Sequence, residues 1–243
     1  MLFEASREEK KESGMLFESP KGIKLRHEWK HLISASDKAQ LVARLSTFCT
    51  PDSHYGNQSY HIRSLYFDNV YDKSLRERLQ GQECREKFRI RYYNYDDNYI
   101  VLEKKSKFNQ LCGKQSTQIT REETENLLRG EIGWLMKKES SLCHELYAKM
   151  RGQMLRPKVI VDYNRRAFVY PPGNTRITLD DQVRTGLSGL DFFHEKMVTI
   201  PADLTQPIIL EVKYDDFFRI IYEKPLDWRI VVLRIILNIW LVD

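Results

Sequence analysis

The chain has 243 residues, with 39 Lys and Arg against 34 Asp and Glu, which leaves a net charge of +5. Its apolar fraction of 42% and its low content of Gly (11) and Pro (8) exclude wholesale disorder and a collagen-like or low-complexity protein. This length fits one large domain or two small ones. The four cysteines form no Cys-x-x-Cys pair and no signal peptide is recognisable, so we expect reduced thiols in a cytoplasmic protein.

The predicted elements begin with a flexible tail over residues 1–22, which is polar and nearly balanced in charge. A first amphipathic helix is predicted over 36–50, with Ser36 as its N-cap and Asp37 in its first turn. A second helical region is predicted over 120–150. It opens on the capping-box pattern of Thr120 and Glu123, and 131–150 is interpreted as a separate helix.

Most of the remaining chain is rich in Ile, Val, Tyr and Phe between turn residues and is predicted to form strands. Hairpin turns are expected at 94–98 and 171–174. Helices and strands do not alternate, so we expect an α+β protein with an antiparallel sheet or barrel rather than a parallel sheet. The predicted strands are 23–33, 59–68, 84–95, 98–107, 113–119, 158–169, 175–180, 193–200 and 207–214.

Residues 226–243 form the last predicted element, an apolar helix. It is too short and too charged to predict a membrane span, which needs about 20 apolar residues. We expect a helix buried at one end of the domain. The alternatives are an anchor at a membrane surface or a contact with a protein partner.

Five predicted strands place charged residues on one face and apolar residues on the other, because side chains alternate along a strand. In 84–95, for example, Lys87, Arg89 and Arg91 lie opposite Phe88 and Ile90. The other charged faces are Arg26, Glu28 and Lys30; Glu103, Lys105 and Lys107; Arg176, Thr178 and Asp180; and Glu211 with Lys213.

Two structures would produce this alternation. One is an ordinary antiparallel sheet with one face in solvent. The other is a closed barrel with a charged interior, whose low-dielectric walls would concentrate positive potential and suit a polyanion. Long cations with single glutamates between them favour the barrel, and those glutamates could hold Mg²⁺ or Mn²⁺.

Common catalytic motifs are missing from the sequence. It has no Walker phosphate loop, no Gly-x-Gly-x-x-Gly, no kinase signature, no Gly-x-Ser-x-Gly and no cysteine zinc site. Ser188, within GLSGL, is interpreted as a turn residue. Nucleic acid is not expected as a partner, because the aromatic residues lie opposite the cations and not among them. Any phosphate chemistry would therefore depend on the charged strand faces.

Six strings occur in an order that resembles the VTC domain, the polyphosphate polymerase branch of the triphosphate tunnel metalloenzymes (the CYTH superfamily), over about 23–225. The resemblance implies an eight-stranded antiparallel β-barrel with helices packed outside. It also implies transfer of the γ-phosphate of ATP to a polyphosphate chain, with ADP released. The strings are RHEWKH (26–31), SLYFD (64–68), KFRIRYY (87–93), LEKK (102–105), RITLD (176–180) and ILEVKY (209–214).

The resemblance also implies a set of site residues and a divalent cation, Mn²⁺ or Mg²⁺. Glu211 is the leading metal ligand, and Glu28 and Glu103 either assist through water or pair with cations. Lys114, placed just after an expected turn at 112–113, and Lys213 are further substrate-binding residues. The residues expected to clamp phosphates and to carry catalysis are Lys30, Arg89, Arg91, Lys105 and Arg176.

Two departures from the family pattern concern activity. Arg26 stands where other members of the superfamily carry a glutamate, which fits the polymerase branch. Residues 226–243 lack the Ser-Lys-Tyr-like lid segment, for which Lys224 is a poor substitute. Two alternatives stay open: a tripolyphosphatase or nucleoside triphosphatase on the same tunnel, and a non-catalytic polyphosphate-binding module. A membrane-associated location through the apolar segment also stays open.

Overall fold

The computed structural model describes residues 26–52, 58–108, 111–186 and 192–215. Short 3-10 turns lie at Gly133–Met136 and Pro172–Asn174. The elements of the described residues are β1 (Arg26–Ile33), α1 (Ala35–Phe48), β2 (Thr50–Pro51), β3 (Tyr60–Asp68), α2 (Lys73–Leu79), β4 (Cys84–Tyr93), β5 (Asp96–Phe108), β6 (Leu111–Ile119), α3 (Arg121–Leu128), α4 (Ser141–Gly152), β7 (Arg156–Tyr170), β8 (Thr175–Gly186), β9 (Ile200–Pro201) and β10 (Ile208–Tyr214).

Eight of the strands close into a ring. Their order is β7-β3-β4-β5-β6-β1-β10-β8, and β8 pairs back with β7. All of these pairings are antiparallel. The two-residue strands β2 and β9 attach to β7 and β8. The junction between β6 and β1 is short, with the two residue pairs Arg26–Cys112 and His27–Leu111 among the described residues. The ring confirms the predicted fold class.

The apolar faces of the strands point outward, where the helices cover them. Leu65, Ile90 and Leu102 pack with Leu127 of α3 and Leu146 of α4. On the other side of the ring, Leu41 and Leu45 of α1 pack against Leu179, Leu210 and Val212. The charged faces therefore line the inside, and the alternative of a sheet with one solvated face is wrong.

The capping of α1 differs from the prediction. Ser34, not Ser36, is the N-cap: its hydroxyl accepts a hydrogen bond from the Asp37 amide at 3.1 Å, and the Asp37 carboxylate accepts one from the Ser34 amide at 3.2 Å. This reciprocal pair needs a spacing of three residues, which Ser36 and Asp37 lack. The predicted capping box of Thr120 and Glu123 is confirmed at the start of α3.

The predicted helix over 131–150 is interrupted. A 3-10 turn occupies Gly133–Met136, and α4 begins only at Ser141, after Ser140 adopts an extended backbone. Ser140 is the N-cap of α4, although its side chain makes no capping hydrogen bond. The short helix α2 was not predicted.

Three other local predictions differ from the structure. The first hairpin turn is tighter than 94–98, because Asn94 and Tyr95 turn the chain with φ of 49° and 58° and β5 resumes at Asp96. The expected turn at 112–113 lies within β6, where Gly113 pairs with Ser106. Of the predicted strand 193–200, only its last residue pairs with a neighbour.

Several predictions fall outside the described residues. These are the tail over 1–22, the apolar helix over 226–243 and the turn at Ser188. The predicted domain boundaries stay predictions. Across the part of the chain that the structure describes, no helix combines the length and the hydropathy that a membrane crossing requires.

Arg63 lies on the outer face of the ring, where most buried side chains are apolar, but it is charged and only 1% exposed. Its guanidinium donates two hydrogen bonds to Asp162, at 2.8 and 2.9 Å. It also donates to the backbone carbonyls of Phe192 and His194, at 3.1 and 2.7 Å. One side chain thus ties the irregular segment after β8 to the sheet.

Arg63→Met should destabilise the protein, because it leaves the Asp162 carboxylate buried without its partner. We expect the free energy of unfolding to fall by about 3–5 kcal/mol, measured by urea denaturation. The double variant Arg63→Met/Asp162→Leu should recover part of this loss, since it removes both charges together. A loss below about 1 kcal/mol in the single variant would match an exposed pair and contradict the assigned role.

Candidate functional site

The first part of the inner face is a square of four charged residues on β1 and β10. Glu28 lies opposite Lys213 and Lys30 lies opposite Glu211 in the strand register. The Lys30 ammonium lies 2.7 Å from Glu211 and 3.1 Å from Glu28. The Lys213 ammonium lies 2.7 Å from Glu211 and 3.6 Å from Glu28. Lys105, from β5, adds a third ammonium 3.6 Å from Glu28.

These ammonium groups keep both carboxylates ionised. Burial alone would raise the pKa of Glu211, which is 3% exposed, but Lys213 and Lys30 outweigh burial and hold that pKa well below its usual range. Burial likewise opposes ionisation of Glu28, and its pKa is lowered nonetheless, with Lys105 as the main cause.

Lys105 is the least satisfied of the three lysines. Burial disfavours its ammonium form, and the positive charges of Lys213 and Arg89 add to this effect. Glu211 and Glu28 oppose the effect only in part, so the pKa of Lys105 falls to about 8. An anion placed beside it would restore the charged form.

A second group of contacts centres on Glu103 of β5. The Arg89 Nε donates to one carboxylate oxygen at 2.6 Å, and Lys114 of β6 lies 3.3 Å from the other. Arg89 also donates to the hydroxyl of Tyr66 at 3.0 Å. Arg91 continues the row on β4, but it donates to the neutral hydroxyls of Ser64 and Tyr163, at 3.0 and 2.5 Å.

Tyr66 is a site residue that the sequence analysis missed. Burial raises the pKa of its phenol, but the charges of Arg89 and Arg91 outweigh burial and lower the pKa to about 7. Tyr66 lies in the quoted SLYFD string of β3, at a position that alternation places on the same face as Ser64. The alternation of side chains along β3 could have identified Tyr66, but the sequence alone had not shown which face of β3 points inward.

Arg176 stands apart from both groups. It pairs with Lys213 in the register of β8 and β10, but its guanidinium contacts Asp52 and the hydroxyl of Tyr60. A further inward ion pair was also missed: Arg165 donates two hydrogen bonds of 2.6 Å to Asp180. Arg165 belongs to β7, whose inward face the sequence analysis did not assign.

The structure thus gathers most of the predicted residues, but in two groups. Lys30, Lys105 and Lys213 surround Glu28 and Glu211, whereas Arg89 and Lys114 hold Glu103. The two groups are neighbours, because Glu103 and Lys105 lie on the same face of β5 and Lys105 lies opposite Lys114.

The predicted carboxylates do not by themselves form a complete site for a divalent cation. Among the described residues, no group of three or more His, Cys, Asp or Glu is placed to hold a metal. Glu28 and Glu211 share the same ammonium groups, and one buried oxygen of Glu28 accepts no hydrogen bond from the described part of the chain. Both oxygens of Glu103 face cations. Mg²⁺ is commonly held by one or two carboxylates together with substrate phosphates, so the pair of Glu28 and Glu211 fits a cation that arrives with a phosphate ligand.

Comparison with solved structures finds matches that cover most of this chain. A candidate adenylate cyclase from Bacillus halodurans has a TM-score of 0.49 and 13% identity, and the match covers 91% of this chain and 92% of that one. A candidate adenylyl cyclase from Hippeastrum, described as having a dominant triphosphatase activity, has a TM-score of 0.49 and 14% identity over 81% of each chain. Among curated proteins, no match to the sequence was found.

Comparison with protein families finds one matching family model. The model of the VTC domain matches residues 25–231, which include all the strands of the ring and every inward residue described above. The chain belongs to the VTC domain family.

Proposed function

We propose that this chain is a metal-dependent polyphosphate polymerase, which transfers the γ-phosphate of ATP to the end of a polyphosphate chain inside the ring. The observation that carries the proposal is the cluster of inward ammonium and guanidinium groups around buried glutamates in a VTC domain. A triphosphate needs such a cluster of cations, and buried cations need anions.

The chemistry requires little from the protein beyond placement. Phosphoryl transfer proceeds through in-line displacement and depends mainly on positioning and charge neutralisation. A terminal oxygen of the acceptor chain forms a bond to the γ-phosphorus. The bond from that phosphorus to the β,γ-bridging oxygen breaks, and ADP leaves with the electron pair. The attacking oxygen is already ionised, so no side chain has to accept a proton.

Two kinds of cation would share the work of binding phosphate. Lys30 and Lys213 have three N–H donors each, so they can contact phosphate without releasing Glu211. Among the described residues Arg91 donates only to neutral hydroxyls and forms no ion pair with a carboxylate, so its charge is available to an anion. Lys105 gains its proton back when phosphate arrives, which adds to the attraction.

The divalent cation would be held by Glu211 and Glu28. Glu103, predicted as a third ligand, instead orients Arg89 and Lys114 in this arrangement. When bound, Mn²⁺ or Mg²⁺ supplies charge neutralisation at the phosphate oxygens. Arg176, which pairs with Asp52, would bind phosphates that lie farther from the square of Glu28, Lys30, Glu211 and Lys213.

Product analysis tests the proposed function directly. Incubation with ATP and Mn²⁺ followed by gel electrophoresis should give a ladder of polyphosphate chains. Glu211→Gln should lose most of this turnover, because the amide is a poor ligand for the cation, and it should also lower the stability, because it removes a buried partner of Lys30 and Lys213; thermal unfolding shows that the variant assayed is folded. Release of orthophosphate alone would assign a hydrolase instead. Binding of polyphosphate without turnover would assign a binding module.

Arg91→Met should weaken the binding of inorganic triphosphate without unfolding the protein. Among the described residues Arg91 forms no ion pair with a carboxylate, so the substitution leaves no buried acid without a partner. We expect a loss of affinity of about 10–100-fold, the scale of a hydrogen bond to a charged group, measured by calorimetry. Arg91→Lys should keep part of the affinity, and unchanged binding in Arg91→Met would contradict the clamp.

Triphosphate affinity should fall as the pH rises through about 8, because Lys105 then loses its proton in the free protein. Above that pH, binding should take up a proton, which calorimetry detects as a dependence of the heat on the buffer. Lys105→Met should reduce this uptake. Tyr66 titrates with the same sign from about pH 7, so the comparison is repeated in Tyr66→Phe. Binding that does not change with pH in Tyr66→Phe would contradict the role of Lys105.

A further inference from the structure

Several inward cations at one end of the ring have no part in the site described above. They lie where β4 begins and β5 ends. In the strand register, Lys87 lies directly opposite Lys105, and Arg85 lies directly opposite Lys107. Like charges on directly opposed residues repel and destabilise a sheet. Two such pairs in succession call for a compensating anion.

The protein itself supplies little compensation there. Among the described residues, Lys87, Lys107 and Arg78 of α2 form no ion pair, in contrast to Lys30 and Lys213. The pKa of Lys87 is lowered by burial and then by the positive charges of Arg78 and Arg85, so these three cations lie close enough to repel one another.

Three acids near this end are engaged elsewhere. Asp68 interacts with Lys87, but its carboxylate accepts hydrogen bonds from the amides of Asn69, Ser74 and Leu75, at 2.8, 2.9 and 3.3 Å. Glu86 alternates to the outer face of β4, where it pairs with Lys104 and Lys149. Glu77 pairs with Lys73.

We propose that Arg78, Arg85, Lys87 and Lys107, here called the basic rim, form a second anion-binding station that holds units of a linear polyphosphate beyond those in the inner clamp. The proposal rests on the proposed function for the identity of the chain. The connection between the two stations is the row formed by Lys87, Lys105 and Lys114, which lie opposite one another across three strands.

The chemistry of the basic rim favours inorganic polyphosphate over RNA. Polyphosphate carries a negative charge on every unit and has no bases, so it needs only guanidinium forks and ammonium point charges. Single-stranded nucleic acids are usually held by aromatic side chains on which the bases stack. At this end of the ring Phe88 and Phe108 alternate to the outer face, and the inward positions are Arg85, Lys87 and Lys107.

The test compares two probes, inorganic triphosphate and a long-chain polyphosphate, on the variant Arg78→Gln/Lys87→Gln/Lys107→Gln. Arg85 is retained because its side chain donates to the Gln82 carbonyl. The matched control is Arg44→Gln/Lys137→Gln/Arg151→Gln, which removes three exposed cations outside the ring.

We expect the rim variant to lose about tenfold or more in affinity for the long chain and to bind triphosphate as the parent does. The control should bind both probes as the parent does. Equal losses for both probes would overturn the proposal, because the rim would then belong to the inner clamp. No loss for either probe would overturn it as well. A single-stranded RNA that competes as strongly as polyphosphate for the rim would overturn the assignment of the ligand.

Two features keep the test decisive. Thermal unfolding shows whether the triple variant folds. The single variant Lys87→Gln leaves no carboxylate without an ion-pair partner, and it should show a smaller loss of affinity for the long chain. The assay measures binding without turnover. If the parent binds the long chain through the rim but synthesises none, the proposed function fails and the second station stands.

Discussion

The structure depends on the neutralisation of buried positive charge by three glutamates. Glu28 and Glu211 lie between three ammonium groups, and Glu103 lies between Arg89 and Lys114. Without these carboxylates the cations of these two groups would lose their carboxylate partners in a low-dielectric interior, which would destabilise the ring. Neutralisation is incomplete, since Lys105 and Arg91 stay available. The same arrangement therefore keeps the empty ring folded and leaves it attractive to a polyanion.

Ring closure determines where this charge can be placed. Because the outer faces are covered by α1, α3 and α4 through apolar contacts, the alternating charged residues have only the inside left. Arg63 shows the reverse case, in which an outward cation is buried under a loop and has to be paired with Asp162. Both observations follow from one rule: a charge removed from water is accompanied by its counter-charge.

The inner face is not uniform around the ring. β3 and β7 contribute an apolar cluster of Tyr60, Ile62, Tyr163 and Ala167, whereas most of the inward cations come from β1, β4, β5 and β10. The hydroxyl of Tyr163 in this wall orients Arg91 without cancelling its charge. A bound phosphate chain would therefore lie against the cationic wall, which in the proposed arrangement continues into the basic rim.

The sequence by itself determined the features that depend on local spacing. Alternation along a strand placed Lys87, Arg89 and Arg91 on one face, and the capping box of Thr120 and Glu123 marked the start of α3. Such patterns follow from the geometry of a few consecutive residues. The order of six strand motifs also indicated the family, and with it the antiparallel fold and a set of inward residues.

Only the tertiary structure decided which face lies inside and which residues meet. Lys30 contacts Glu211 because β1 and β10, distant in sequence, pair in one register. Tyr66 and Arg165 could be assigned to the inner face only after the structure showed which faces of β3 and β7 point inward. Arg176 contacts Asp52, which follows β2, a strand that was not predicted from the sequence. Register and closure arise from hydrogen bonds between distant strands, and no local pattern encodes which distant strand becomes a neighbour.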